Sequence, residues 1–320
     1  MKIFFIPSGY KGIYNWFEAH IITELKRKHE VKSFLCHNGL SALKLAIKSF
    51  KPDIVFTLVG FQLPLEMVRW VRKQHIKTAV WFTEDPYYMD RTSNLSDYFD
   101  FIFTIDSAAA DYYRINKEHP NVYELPLATA PKVFFPKEVK EKFKSDICMV
   151  GYPYPERVRC IQYLLQNTSY KIQVVGKWKG TLYRFRQHPN LQFHDSWVQP
   201  DVVSNYYNGA KIILNTHRPF NLQQNKNRIG IVGKGINNRT FDVAACEVFQ
   251  LIDYKEDINN YFIDEDEIVS YKDFNQLIDQ INFYLKNEED RIRIAQKARA
   301  RVLKDHTFEK RIEQMTSFMN

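Results

Sequence analysis

Short apolar runs alternate along the chain with segments whose apolar residues recur at helical spacing. Residues 2–7 (KIFFIP) form the first run; in 14–29, Phe17, Ile21 and Leu25 then stand four positions apart with Trp16 beside them. A stripe of that period predicts a helix that buries one face. The change of period repeats: strand-like 30–36, helix-like 40–50, strand-like 53–59, helix-like 64–74 and strand-like 78–83. A proline-containing loop, a strand at 99–105 and a helix at 107–117 follow. Runs rich in β-branched and aromatic residues, set between helices, predict β-α-β units and a parallel sheet.

Residues 121–144 break this rhythm with Pro126, Pro131 and Pro136 and a run of charge, and are read as an inter-domain connection. The alternation restarts with strands at 146–152, 171–177, 191–196, 211–216 and 248–253. Helices are expected at 155–166, 201–210, 237–246 and 274–286, and throughout 288–319. The expected organisation is an α/β fold of two Rossmann-like, doubly wound domains, 1–140 and 141–304, with 305–320 as a closing helix that packs back on the first. Ligands in such halves bind outside the carboxyl ends of the strands.

Composition narrows the class. The 320 residues suffice for two cores, and 45% hydrophobic with 26% charged residues describes a globular chain. No apolar run approaches the ~20 residues that span a bilayer. The opening MKIFFIPSG reads as a buried strand rather than a leader, so a cytoplasmic location is expected. Cys36, Cys148, Cys160 and Cys246 are far apart in apolar surroundings and predict buried thiols. A net charge of +8 favours anionic partners without choosing among nucleotides, nucleic acid, acidic lipids and acidic glycans.

Candidate chemistry gathers at predicted strand ends. In VGYPYPERVR, Gly151 ends a strand, Pro155 opens a helix, and Arg157 and Arg159 lie in its first turn, a pattern for phosphate or for a plain turn with solvated arginines. In GKGINNRTFDVAAC, Gly233 and Gly235 expose backbone, Asn237 or Asn238 caps a helix, and Arg239 and Asp242 are set for a diphosphate and a ribose. The same residues also fit an ordinary capped helix. WFTEDPYY offers Glu84 and Asp85 as a base toward an acceptor hydroxyl, or as an acidic turn. NTHRPF ends another strand with His217, a further catalytic candidate, and Arg218, a candidate for the donor, although a lone histidine is more often structural. The loop PSGYKGIYNW carries Gly9 and Gly12 but lacks a dinucleotide fingerprint. The triplet Asp264 to Asp266 sits in a polar turn, and no His/Cys ligand cluster is visible, so no metal is expected. The helix 291–304 has an apolar stripe (Ile292, Ala295, Ala298, Val302) and a basic face readable as solvated or as a peripheral membrane contact.

At VGYPYPERVR and GINNRTFDVAACEVFQLIDY the chain resembles the CgeB-like spore-maturation glycosyltransferases, within the GT-B group acting on nucleotide-activated sugars. The likeness extends to LPLATAPKVFFP, RVLKDHTFEKRIEQM, WFTEDP and FDFIFTID. It implies a GT-B fold, two domains facing across a cleft, with a group 1-like C-terminal domain. It implies a metal-independent hexosyltransferase moving sugar from a UDP-sugar to a glycan or protein acceptor, in spore-surface maturation and without a cofactor. Position by position, Arg157 stands where a basic residue contacts the diphosphate, Asn237 and Asn238 where backbone amides do, and Asp242 where a glutamate holds the ribose. Lys234 replaces an acid common in the wider group, and Glu247 a glycine. The rival readings are a sugar-nucleotide epimerase on the same fold and an inactive glycan- or membrane-binding protein. Nucleic acid is not an expected partner, since no recognised module is visible.

Overall fold

The computed structural model describes residues 1–319. The first sheet is laid down by β1 (Lys2–Ile6), α1 (Ile13–Lys28), β2 (Glu30–Ser33), α2 (Gly39–Phe50), β3 (Ile54–Leu58) and α3 (Leu65–Lys73), then β4 (Lys77–Phe82), α4 (Met89–Ser96), β5 (Phe101–Thr104), α5 (Ser107–Ile115) and β6 (Val122–Glu124). Its strand order is β2-β1-β3-β4-β5-β6, all parallel. Strands β3 and β5 are buried along their whole length, as the central strands of a sheet covered by helices on both faces must be.

The second sheet follows with β7 (Ser145–Val150), α6 (Pro155–Asn167), β8 (Ile172–Val175), β9 (Leu191–His194), α7 (Pro200–Asn208), β10 (Ala210–Asn215), α8 (Arg239–Ala245) and β11 (Gln250–Asp253). The short α9 (Ile258–Tyr261), β12 (Val269–Tyr271), α10 (Phe274–Lys286) and α11 (Glu288–Asp305) complete it, and α12 (Phe308–Met319) ends the chain. The order β12-β11-β10-β7-β8-β9 is parallel throughout and reverses direction between β7 and β10, the switch point of a Rossmann-type sheet. The strands and helices expected from periodicity all form.

Three details differ from the sequence reading. Helix α4 forms where a loop was expected, because Thr92 and Ser96 turn their hydroxyls inward to Asp85 and to the Ser93 carbonyl. Strand β6 lies at the start of the expected connection; three residues are too few to show alternation, and pairing with β5 defines it. The closing helical stretch is two helices, broken where His306 hydrogen-bonds the Tyr261 carbonyl at 3.1 Å and packs on Phe241 and Phe262.

The chain divides into two compact units: Met1–Leu127 with Phe220–Gly235 and Phe308–Asn320, and Ala128–Pro219 with Ile236–Thr307. The first division therefore falls between Leu127 and Ala128, after Pro126 and ahead of Pro131 and Pro136, within the segment read as a connection but earlier than Lys140. The expected continuous second domain is interrupted by 220–235, a loop whose partners lie in the first unit. Helix α12 packs on α1, with the Phe308 ring against Trp16 at 5.7 Å and against His20 at 5.6 Å.

Candidate active site

At the β7/β10 switch point of the second unit, the strand ends bring Gly151, Asn215, Thr216 and His217 beside the starts of α6 and α8. Gly151 has φ +136, and a Cβ added there would meet Arg157 Nη1 at 2.8 Å and Arg239 Nη2 at 3.0 Å. Two guanidinium groups therefore converge on one point over the turn. Arg157 is buried and donates from Nε to Thr216 Oγ1 at 2.6 Å, from Nη1 to the Tyr152 carbonyl at 2.9 Å, and from Nη2 to the Thr216 carbonyl. Arg239 donates from Nη1 to Asn215 Oδ1 at 2.9 Å. All these partners are neutral. Burial, and next the charge of Arg239, pull the Arg157 pKa down to about 10, so the pair is both desolvated and self-repelling. An anion held between the two would relieve both costs.

Beneath the arginines lies a polar network whose members, apart from Arg239 and Asn237, the sequence reading did not single out. Asn215 is fully buried; its amide donates to Thr240 Oγ1 and Gln250 Oε1, each at 2.9 Å, and its oxygen accepts from Arg239 and from Asn237 Nδ2. This fixes the rotamer of Arg239 from below. The segment NTHRPF marked the strand end, but partners 22 to 35 residues away leave no local signal.

His217 has a different place from the one expected of a catalytic base. Its Nδ1 lies 2.6 Å from Asp253 Oδ1, and its Nε2 accepts from the Asn237 backbone N–H at 3.1 Å. With Nε2 accepting, Nδ1 carries the proton, and burial lowers the ring's pKa despite Asp253. A neutral imidazole with both nitrogens occupied is a brace between β10, β11 and the α8 turn. The same bond takes the Asn237 amide that was expected to face a diphosphate. Asp253, at the end of β11, also accepts from the His217 amide at 2.9 Å; burial would raise its pKa, but the contacts with His217 bring it below the usual value. Arg218 is half-buried on the same loop.

Asn238 stands at the N-cap of α8 without capping it, and its Nδ2 donates to Asp242 Oδ2 at 3.3 Å. Asp242 is buried, with Oδ1 shut away from solvent and lacking a hydrogen-bond partner. The Thr129 hydroxyl is near enough to favour its charge but closes no bond. Burial pushes the Asp242 pKa up to about 8 against Thr129, Arg239 and Asn238. The buried carboxyl thus accepts from Asn238. Gly233 and Gly235 belong to the first unit's loop, not to an exposed phosphate turn: an added Cβ would meet Pro86 Cγ at 3.0 Å and the Ile105 carbonyl at 2.6 Å, respectively. Asp106 accepts from the Lys234 and Gly235 amides, each at 2.9 Å, and Asp90 from the Arg228 amide at 2.8 Å.

In the first unit, Glu84 and Asp85 end β4 but point apart. Asp85 is buried and accepts from Thr92 Oγ1 at 2.7 Å, Thr104 Oγ1 at 2.8 Å and the Tyr113 hydroxyl at 2.9 Å. Burial pushes its pKa up to about 7 against those donors. It ties β4 to α4, β5 and α5, a structural post in place of the catalytic one expected. Glu84 is half-buried and accepts from the hydroxyl of Tyr14, in the first turn of α1. Burial, then the Glu84 charge, raise the Tyr14 pKa far enough that the phenol keeps its proton. The loop that delivers Tyr14 turns at Gly9 and Gly12, with φ +79 and +72, and is tied down by the Ser8 amide on Glu18 Oε1 at 2.6 Å.

Two carboxylates of the triplet Asp264 to Asp266 have partners in the protein itself, Asp264 accepting from Ser270 and Asp266 pairing with Lys297 and Arg293 of α11, while Glu265 is exposed. Among the described residues, no three His, Cys, Asp or Glu side chains form a metal-holding group, and no helix is long and apolar enough to cross a membrane. The basic face of α11 is partnered: Arg291 donates to the Tyr284 carbonyl, Arg301 to Glu267, and Arg299 lies near Glu247. Ile292, expected in its apolar stripe, is 49% exposed, and Ile294 is buried in its place.

Comparison with known proteins adds a family. The model of a family described as "Glycosyl transferase-like" matches residues 157–317. Spore protein CgeB of Bacillus subtilis (strain 168) is 32% identical over 297 residues, which are 92% of this chain and 91% of that protein. Among solved structures, a sucrose-phosphate synthase of Thermosynechococcus elongatus superposes with a TM-score of 0.73 at 11% identity, covering 100% of this chain and 98% of its own. Anabaena HepE, solved in complex with UDP and glucose, gives 0.67 at 10% identity, covering 100% and 99%. At these identities the superpositions establish the fold, the two-domain GT-B type.

Proposed function

The chain belongs to the glycosyl transferase-like family and is a relative of spore protein CgeB, and from that premise we propose that it transfers a hexose from a UDP-sugar to a glycan or protein acceptor. The observation that carries this reading is the convergence of Arg157 and Arg239 over Gly151, with only neutral partners, at the switch point of the second sheet. A diphosphate seated there is the anion the pair lacks, and its charge grows as the sugar–phosphate bond breaks, so the arginines act most strongly in the transition state. In this proposal they do the work of a divalent cation, and no cofactor takes part. Arg218 lies at the margin of the phosphate site. His217, Asn237, Asn238 and Asp242 act by holding the arginine bed in shape.

Glu84 is proposed as the acceptor-side base, with Tyr14 orienting its carboxylate by hydrogen bond. The relative's name supports a spore-related role; we propose that this role is in building the spore surface, and we place that work in the cytoplasm.

The test is incubation with a panel of nucleotide sugars together with glycan and protein acceptors, with and without chelator, followed by analysis of the nucleotide, the free sugar and the glycosylated acceptor. Transfer predicts free UDP, formed equally in chelator. An epimerase on the same fold would leave a changed sugar still attached to its nucleotide, and an inert binding protein would leave the panel untouched; either result overturns the proposal.

A further inference from the structure

The connection from β8 to β9, residues 176–190, leaves the carboxyl end of β8 and has two unlike faces. One face is core. Trp178 and Leu182 are fully buried, Phe185 packs against the same apolar cluster, and Trp178 Nε1 donates to the Gly151 carbonyl at 2.9 Å. The other face is cationic. Lys177, Lys179, Arg184 and Arg186 are all exposed, and none of them enters an ion pair among the described residues. Arg184 donates from Nε to the Tyr183 hydroxyl at 2.7 Å and Arg186 from Nε to the Lys179 carbonyl at 3.3 Å, both neutral partners.

No Asp or Glu occurs from Val158 to His194, so this face has no carboxylate of its own. The next one along the chain, Asp195, accepts from the Lys179 amide at 2.8 Å, which pins the turn after β9 to the cationic loop. That turn carries Trp197, 51% exposed, and the loop itself carries Tyr183, 57% exposed. Two large aromatic side chains thus stand open to solvent on a surface of unpaired positive charge, a combination that marks a contact surface.

The chemistry of these groups restricts the partner. Ammonium and guanidinium groups donate hydrogen bonds and never accept them. A neutral sugar, which offers donors as well as acceptors, is poorly matched to them, whereas a surface dense in phosphate is well matched. An indole and a phenol, each with an apolar body and a polar edge, settle at the boundary between lipid headgroups and acyl chains, where anionic lipid also attracts neighbouring Lys and Arg. A soluble polyphosphate would engage the cations and leave the rings in water.

We propose that this surface seats the second unit on an anionic phospholipid bilayer, with Lys177, Lys179, Arg184 and Arg186 on the phosphates and Tyr183 and Trp197 in the interface. It is separate from the basic face of α11, whose arginines have partners in the protein. It shares no side chain with the arginine pair and does not depend on the function proposed there.

The full chain is sedimented with vesicles of phosphatidylcholine alone and of equal parts phosphatidylcholine and phosphatidylglycerol. The expected result is binding to the anionic vesicles only, weakened by added salt and at least tenfold weaker in the double variant Lys179→Glu with Arg184→Glu. The parent's tryptophan fluorescence should shift to the blue on those vesicles. Trp197→Ala should abolish the shift and weaken binding several-fold. All three positions are exposed, so both variants should keep the parent's circular dichroism. Absence of binding to the anionic vesicles, binding indifferent to the charge reversal, or a blue shift that persists in Trp197→Ala would each overturn the proposal. Binding to soluble heparin that is lost on charge reversal, with no fluorescence shift on vesicles, would assign the surface to a polyanion and overturn it as well.

Discussion

Asp242 keeps its proton in the folded chain to about pH 8 because burial outweighs the donors around it, whereas the unfolded side chain releases its proton near 3.8. Asp85, pushed up to about 7, behaves alike. Between those limits the native state binds more protons than the unfolded state, so these groups make stability fall as pH rises, by up to about 1.4 kcal/mol per pH unit for each. Asp242→Asn removes one such contribution. The variant should therefore lose less stability than the parent between pH 5 and 8, as read from denaturant midpoints; parallel profiles would show that the carboxyl is ionised in the native state. At this scale the sequence showed part of the site. Arg157, Arg239 and Gly151 were legible because a strand-end glycine and first-turn arginines are a local pattern. The roles of His217, Asp242 and Asp85 were not, since each depends on partners brought in by the fold: Asp253 for His217, and Tyr113, 28 residues on, for Asp85.

The corner from β7 into α6 works because Gly151 adopts φ +136 and leaves room for two guanidinium groups. Gly151→Ala should cost about 1–3 kcal/mol in backbone strain and lower the melting temperature, while displacing both arginines and weakening UDP binding. An unchanged melting temperature would mean that the turn relaxes freely. The loop 220–235 is the second telling element. Asp90 and Asp106 accept four of its backbone amides, and Asp106 also caps α5 through the Ala109 amide. Asp90→Ala should free the stretch around Lys226 and Arg228 and speed tryptic cleavage there several-fold without loss of the global fold; cleavage at the parent's rate would show that Asp90 does not hold it. Periodicity announced the helices and strands on either side, but a polar loop has no period, and nothing in its composition says which core it joins.

The molecule as a whole is two parallel six-stranded sheets, each with a reversal of strand order. That much was readable from alternating periods, because buried parallel strands are continuous apolar runs. The discontinuous make-up of the units was not, since α12 and the loop 220–235 join the first unit only through contacts distant in sequence. For the whole molecule, the proposed function stands on a diphosphate site at the carboxyl end of the second sheet, built on Arg157 and Arg239. A charge-assisted hydrogen bond contributes about 1.5–3 kcal/mol, so removing one guanidinium should weaken binding roughly ten- to a hundredfold. Arg239 is the better probe, because it is less buried than Arg157 and its loss disturbs the fold less. The decisive measurement is the affinity for UDP, by calorimetry in chelator, of the parent and of Arg239→Ala. The expected result is metal-free binding by the parent and at least tenfold weaker binding by the folded variant; no binding by the parent, or equal affinities, would contradict a diphosphate site at the arginine pair.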